Sequence, residues 1–298
     1  MAVPSPSAPG ELLMRALIAA ATASAVFTSL AAQTPPATRL PPPERPPITS
    51  LNATELRRWK APEARQGVAV DDRHFYAVVN TRIAKYDKRT GRKVAEWVGD
   101  RLRITHLNSC AIIQRQLVCA HSNFPEVPMT SSVEIFDPGT MRHVRSIPLG
   151  MGTGSLTWVE RRGERWWAGF ANYDSKGGEP GRNHRFTQIV IFDDQWRRVG
   201  GYRLPDSVLE RFAPLSNSGG SWGEDGLLYL TGHDAQEIYV LREPGEGGTL
   251  EHVATVAAPL DGQAWAWDRS QPRTLYGITR GQGEVVVIQM PPVPIRTR

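Results

Sequence analysis

Two histidines and two aspartates of this sequence have the side chains best suited to metal binding or to acid–base chemistry. They are His121, His233, Asp174 and Asp234. Oxygen-rich ligand sets suit Ca²⁺, whereas mixed imidazole and carboxylate sets suit Zn²⁺ or Mn²⁺. Histidine and aspartate are also common general bases. The four residues are therefore candidate ligands of a divalent metal, Ca²⁺ or Zn²⁺, and His121, Asp174 and His233 are candidate catalytic residues.

A second set of polar side chains could bind a ligand by hydrogen bonds. It comprises Asn80, His106, Asn108, Asn123, Asn172, Gln263 and Arg280. All of them lie next to short apolar runs. The alternative is that Asn, Asp and His at such places cap turns and bind nothing.

A repeated unit of four short strands must position both sets. Its third strand ends in an aromatic residue followed by aspartate, at Tyr86-Asp87, Phe136-Asp137 and Phe192-Asp193, in steps of 50 and 56 residues. The aspartate can cap the turn that follows the strand. Self-similarity at about 40–55 residues, with four short strands per unit, is typical of a β-propeller blade.

Five such units cover residues 66–100, 105–149, 154–205, 217–258 and 262–290. The last contains three strand-like runs, and residues 55–60 supply a fourth ahead of the first unit. Pairing that segment with the last unit closes the ring and leaves no open edge. The sequence thus predicts an all-β chain with a single propeller of five four-stranded blades over 50–292, closed by an N-terminal strand. A short helix is expected at 206–212.

Strand direction predicts where the candidate residues lie. In every blade the chain enters the first strand and leaves the second strand at the same end. The candidates at these points should therefore share one face, around the mouth of the central channel. Two long loops at 122–132 and 172–185 should cover that face, since binding usually resides in long loops on a rigid scaffold.

The two cysteines, Cys110 and Cys119, flank a predicted hairpin. A two-residue turn at Gln114-Arg115 would place them directly opposite each other on neighbouring strands, within disulfide reach. We expect a disulfide between them, because an exported protein meets oxidising conditions. The alternative is a pair of reduced, buried thiols.

The N-terminal region has the composition of a targeting segment. Residues 16–32 are apolar and small and follow Arg15, as in a secretory signal peptide. We expect a signal peptide over 1–32, cleaved or kept as an anchor, with Met14 as an alternative start. Residues 33–49 are rich in proline and should form an extended tether, and 293–298 a short tail. The predicted location is the periplasm or the extracellular space, with no membrane span after signal removal.

The repeats resemble bacterial exported propellers of the YVTN, quinoprotein-like and gluconolactonase-like superfamilies, over about residues 50–292. Residues 87–91 (Asp-Lys-Arg-Thr-Gly) with Trp97 resemble the Asp-x-x-Thr-Gly…Trp blade motif of pyrroloquinoline-quinone dehydrogenases. Here Trp97 comes two positions late, the full motif occurs once, and those enzymes have more blades. The resemblance implies a propeller and leaves the ligand open, since one fold hosts many functions.

Composition narrows the function classes further. A chain with 40% hydrophobic residues can fill a core and is not wholly disordered. The net charge of +5 is dispersed, so no nucleic-acid partner is expected. No His-Glu-x-x-His motif occurs. Two hypotheses remain. The first is a monomeric propeller that binds a small molecule, a glycan or a protein partner at the channel mouth. The alternative is a propeller enzyme of lactonase, cycloisomerase or glycan-cleaving type, metal-assisted or not.

Overall fold

The computed structural model describes residues 47–294. The predicted signal peptide, nearly all of the predicted tether and the last four residues lie outside the described residues. Within residues 47–294, no helix is long and apolar enough to cross a membrane.

The described chain opens with two strands, β1 (Thr49–Asn52) and β2 (Thr54–Lys60), and continues through five antiparallel sheets. The strands of blade one are β3 (Gly67–Val70), β4 (His74–Val79), β5 (Arg82–Asp87) and β6 (Lys93–Val98). The strands of blade two are β7 (His106–Ile113), β8 (Gln116–Ser122), β9 (Thr130–Asp137) and β10 (Arg142–Met151).

Blades three to five follow in chain order. Blade three contains β11 (Ser155–Arg162), β12 (Arg165–Ala171), β13 (Gln188–Phe192) and β14 (Arg198–Arg203). Blade four contains β15 (Gly219–Trp222), β16 (Leu228–Thr231), β17 (Glu237–Arg242) and β18 (Glu251–Ala257), and blade five contains β19 (Ala266–Trp267), β20 (Thr274–Thr279) and β21 (Glu284–Gln289). A helix α1 (Asp206–Phe212) connects blades three and four, as predicted.

The sheets form a ring with their first strands innermost. The first strands of neighbouring blades contact one another, β3 with β7, β7 with β11, β11 with β15, and β19 with β3. The predicted fold, an all-β propeller of five four-stranded blades, is confirmed.

The hydrophobic core consists of five layers, one between each pair of neighbouring blades. Apolar side chains on the two faces of each sheet pack against the next sheet. The layer between blades three and four, for example, contains the fully buried Trp158 against Leu230 and Tyr239. Because every blade is covered on both faces, its middle strands are buried along most of their length and are largely apolar.

The repeated aspartates cap turns, as predicted. The Asp87 carboxylate accepts hydrogen bonds from the amides of Arg89 and Thr90. Asp137 and Asp193 accept equivalent bonds from amides two to four residues further on. The repeat visible in the sequence is therefore a repeated hairpin turn between the third and fourth strands.

The predicted closing strand is present. β2 pairs antiparallel with β21 and becomes the fourth strand of blade five. The Glu284 carboxylate accepts from Arg58 at 2.8 Å and lies 2.6 Å from the Lys60 ammonium. Trp59 packs on the turn at Gly91, which has a φ of +69° and whose missing side chain would lie 2.3 Å from the indole. The closing strand thus joins blade five to blade one.

An additional strand was not predicted. β1 pairs parallel with β18, with Thr49 opposite Ala254 and Asn52 opposite Ala257, and becomes a fifth strand on the outside of blade four. Leu51 and the connecting Ala53 pack against the core layer between blades four and five. The N-terminal segment therefore spans two blades.

The predicted hairpin and disulfide are both confirmed. Gln114 and Arg115 form the turn with φ values of 49° and 65°. Cys110 lies opposite Cys119, and the two are bonded, so no free cysteine occurs among the described residues.

We expect replacement of both cysteines by serine to lower the free energy of unfolding by about 2–3 kcal/mol, because the short loop that the bond closes gives a modest entropic gain. Urea unfolding of the two forms measures this difference. Thiol titration in denaturant should find no free thiol until reductant is added. Two titratable thiols without reductant would contradict the prediction.

Candidate functional site

One end of the channel, the upper face, is where the first strands begin and the second strands end. Backbone hydrogen bonds join neighbouring blades there. The Asn80 carbonyl accepts from the Leu107 amide at 2.7 Å, and the Gln66 carbonyl accepts from the Ala264 amide at 3.1 Å. The predicted site residues lie along this ring of contacts.

Two predicted ligand-binding asparagines use their amide groups within the ring. Asn108 is buried and donates to the Leu156 carbonyl of the next blade at 2.7 Å. Asn172 is also buried and donates to the carbonyls of Thr153 and Phe186 at 3.3 and 3.2 Å. Both side chains therefore stabilise the strands and loops around the channel.

Asn123 and Gln263 have similar contacts. Asn123 closes the loop after β8, because it donates to the Pro128 carbonyl at 3.0 Å and accepts from the Thr130 amide at 2.8 Å. Gln263 is buried and donates to the His233 carbonyl at 2.9 Å, which links blades four and five.

The four predicted metal ligands do not converge on one point. His121 contacts the Ser132 hydroxyl at 2.8 Å through Nδ1 and accepts from the Thr105 amide at 3.1 Å through Nε2. Asp174 accepts from the amide and the ring of His184, at 2.9 and 2.7 Å. Asp174 thereby fixes the loop after β12.

His233 and Asp234 form a pair of their own, with Nδ1 2.6 Å from the carboxylate. Over residues 47–294 no three His, Cys, Asp or Glu side chains are grouped so that they could hold a metal ion. The structure therefore divides the four predicted ligands among three places.

His233 and Arg280 are brought together across blades four and five. An Arg280 guanidinium nitrogen lies 2.7 Å from His233 Nε2, and the Arg280 carbonyl accepts from Arg65 at 2.7 Å. Burial lowers the pKa of His233, the neighbouring Asp234 opposes this shift, and the charge of Arg280 adds to it. The neutral imidazole thus donates to Asp234 and accepts from Arg280.

His106 lies beneath the same mouth and is 9% exposed. Burial lowers its pKa to about 4, and the charges of His121, Lys176 and Arg280 contribute to the shift. The Phe124 ring lies 5.0 Å from the imidazole. A buried, neutral histidine therefore lies at the upper end of the channel, where the charges of Lys176 and Arg280 act on it.

Lys176 and Phe124 were not predicted as site residues. They belong to the loops that follow β12 and β8, which pack on each other. The rings of Phe124 and Tyr173 are 5.0 Å apart, the Met129 amide donates to Glu179 at 2.7 Å, and Lys176 Nζ lies 5.9 Å from the Phe124 ring centre. The unusual length of both loops was the signal in the sequence.

A polar groove opens beside the mouth, over blade one. Its volume is about 440 Å³, and it is lined by Pro62, Glu63, Val79, Asn80, Thr81, Arg82, Arg101 and Thr105. Asn80 accepts from Gln66 at 3.0 Å through its side-chain oxygen, so its amide nitrogen is available to a ligand. Among the predicted residues, Asn80 borders the groove, whereas His106, His233, Asp234 and Arg280 border the mouth.

The low pKa of His106 makes stability depend on pH. Its pKa falls from 6.5 to about 4 on folding, because the folded protein disfavours the charged imidazole. The unfolded chain therefore takes up a proton first as the pH falls below 6.5, and the free energy of unfolding decreases until the pH reaches about 4. The loss attributable to this residue reaches about 3 kcal/mol. We expect His106→Gln to lose correspondingly less stability between pH 7.5 and 4 than the parent, as measured by urea unfolding. Identical losses in both proteins would contradict this assignment.

Comparisons with known proteins assign the chain to no family. No family model matches the chain, and no curated protein matches its sequence. Similar solved structures include the β-propeller domain of Cps50 (Swd1) from Myceliophteria thermophila, with 11% identity over 76% of this chain and 84% of that one, at a TM-score of 0.40.

Two further structures show a similar degree of likeness. A chain of the Mitotic Checkpoint Complex is 10% identical over 84% of this chain and 96% of its own, at a TM-score of 0.43. A chain of Kuenenia stuttgartiensis Hydrazine Synthase is 13% identical over 75% and 83%, at a TM-score of 0.45. At this similarity nothing about ligands or activity transfers. The strand pairing itself defines the chain as a five-bladed β-propeller.

Proposed function

We propose that this propeller is an exported binding protein whose upper channel mouth holds a small ligand with an anionic group, such as a uronic acid unit of a glycan. The observation that supports this most directly is that Arg280 lies 2.7 Å from His233 at the mouth, and that the charges of Lys176 and Arg280 both contribute to the lowered pKa of the buried His106. The disulfide and the signal-like N-terminus support export, because disulfides persist in oxidising compartments.

Arg280 is suited to bind a carboxylate. One guanidinium nitrogen contacts His233, and the group carries five N–H donors in a planar fork. The remaining donors can therefore make the paired hydrogen bonds that arginine forms with carboxylates. The contact with His233 fixes the direction of the guanidinium, so less side-chain freedom is lost on binding.

The other parts of the mouth suit a polar ring. Lys176 supplies a second, exposed positive charge, and Phe124 supplies an aromatic side chain beside it. The side-chain nitrogen of Asn80, which the described scaffold does not use, can donate to a hydroxyl group. The groove at Asn80 offers room for the rest of a longer ligand.

The test compares D-glucuronate with D-glucose, which differ at a carboxylate, by isothermal titration calorimetry. We expect glucuronate to bind more tightly, and Arg280→Gln and Lys176→Gln to weaken its binding about tenfold or more, because hydrogen bonds to charged groups contribute about 1.5–3 kcal/mol. Exposed Arg165, at a hairpin tip on the opposite face, gives the matched control Arg165→Gln. Equal binding of both sugars, or an equal loss in the control, would refute the proposal.

A catalytic function of the same mouth is the second candidate, because Asp234 orients His233 as it would a general base, and Nε2 can accept a proton once Arg280, which donates to it here, turns to the substrate. The substrate class would be a sugar lactone, whose hydrolysis needs a base to activate water. Turnover of D-glucono-1,5-lactone that is lost in His233→Gln would support this function. Turnover that stays unchanged in that variant would exclude it.

A further inference from the structure

The lower end of the channel contains a second polar cluster, formed by one residue from each of three blades. Glu160 lies near the end of β11, Ser221 near the end of β15, and Arg269 in the hairpin after β19. The Ser221 hydroxyl donates to the Glu160 carboxyl group. An Arg269 nitrogen donates to the Ser221 hydroxyl at 3.3 Å and to the Trp222 carbonyl at 2.8 Å.

The contacts place this cluster within the channel itself. A side chain at Gly220 would meet Trp158 of blade three, and Trp222 packs in the layer between blades three and four. Ser221 lies between these two residues in the strand, so its side chain points to the opposite face of the sheet, towards blade five. Glu160 comes from blade three, so it can reach the Ser221 hydroxyl only past the inner edge of β15, which borders the channel.

The cluster is not a closed ion pair. The nearest distance between Arg269 and Glu160 is 3.9 Å, which is too long for a direct hydrogen bond. The side chain of Arg269 is 47% exposed and that of Glu160 is 14% exposed. Both charged groups reach solvent, and the gap between them is one that a ligand oxygen could bridge.

The protonation state of Glu160 and the charge of Arg269 favour an anionic ligand. Burial raises the pKa of Glu160, while the charge of Arg269 and the Ser221 hydrogen bond oppose the shift. The other cations on the strand have acidic partners of their own: Arg161 pairs with Asp194, and Arg162, which lies over the Trp222 ring, pairs with Glu243. A protonated Glu160 and Arg269 both present hydrogen-bond donors, which a carboxylate requires, and the Ser221 hydroxyl, which donates to Glu160 and accepts from Arg269, orients the two.

We propose that Glu160, Ser221 and Arg269 form a second ligand site, at the lower end of the channel, for the carboxylate group of a small organic acid. This site is independent of the upper mouth, since it uses different residues at the opposite ends of the first strands. Binding weakens as the pH rises, because ionised Glu160 repels the guest carboxylate.

The probe is acetate, with neutral acetamide as its matched control, followed by NMR through the Trp222 indole and the Arg269 side-chain N–H signals. We expect saturable shifts with acetate at pH 5, at least tenfold weaker binding at pH 8, and no saturation with acetamide. Arg269→Gln should weaken binding at least tenfold and Arg269→Lys less. Glu160→Gln should bind at pH 8 about as well as the parent does at pH 5, because its amide donates at both.

The upper mouth provides the control that separates the two proposals. Arg280→Gln should leave the acetate response of the lower signals unchanged. Thermal unfolding checks that each variant is folded. If Arg269→Gln does not fold, Arg269→Lys provides the test. The proposal is overturned if acetate causes no saturable shift, if acetamide matches it, or if Glu160→Gln retains the pH dependence.

Discussion

A chain that starts at Ala61, and so lacks β2, should not fold cooperatively. β2 pairs along β21 from Thr54 to Lys60, and its removal exposes the backbone edge of blade five. The layer between blades five and one, which contains Val285 and Val287, would lose the cover of Trp59. An open, apolar strand edge also promotes aggregation. We therefore expect a low soluble yield and no sigmoidal urea transition.

Two longer chains give the matched controls. A chain that starts at Thr49 should unfold like the full-length protein. A chain that starts at Thr54 lacks only β1 and should be less stable by about 3 kcal/mol, since each of a few backbone hydrogen bonds contributes about 1 kcal/mol. Circular dichroism during urea unfolding measures all three. The closing role of β2 is refuted if the chain from Ala61 shows the same transition as the chain from Thr49.

Replacement of Asn217 by alanine should destabilise the fold by about 4 kcal/mol. Asn217 is 1% exposed, accepts from the Trp158 indole at 2.6 Å and donates to the carbonyls of Gly219 and Thr231, both at 2.9 Å. Alanine leaves the buried Trp158 indole N–H without a partner, which costs about 1–3 kcal/mol, and removes one further bond from each carbonyl, of which that of Thr231 keeps the Ser218 amide. The Trp158 indole, which joins blades three and four through this bond, would lose its partner.

Thermal unfolding should show this loss as a fall of roughly 10 °C in Tm, given the size of the domain. Asn183→Ala is the matched control, because Asn183 is exposed and accepts a single amide hydrogen bond at the start of a short helical turn. It should lower Tm by only a few degrees. Equal changes in both variants would mean that Asn217 does not hold the blades together.

Local patterns predicted most of the fold. The five blades, the closing strand, the Cys110–Cys119 hairpin and α1 each follow from residues close together in the sequence, or from the shortage of one strand in the last repeat. β1 could not be found in this way. Its four residues have no pattern of their own, and they become a strand by pairing with β18, about 200 positions away.

The site was less predictable than the fold, because strand direction fixes a face but not a side chain's partner. Asn108 and Asn172 lie where the repeat predicts them. Their side-chain amides donate to backbone carbonyls of the scaffold instead of to a ligand. Lys176 and Phe124 lie in a pair of long loops whose packing depends on contacts such as Met129 with Glu179. No repeat or motif specifies those contacts.

The two-blade attachment of the N-terminal segment has a mechanical consequence. Whatever pulls on the chain ahead of residue 47 loads β1 first, at the outer rim of blade four, and reaches β2 only after the four-residue pairing with β18 has given way. β1 should therefore detach from blade four before β2 is disturbed. Under tension, the pairing of β1 with β18 breaks at the outer edge of blade four, while the pairing of β2 with β21 and the channel mouth stay intact.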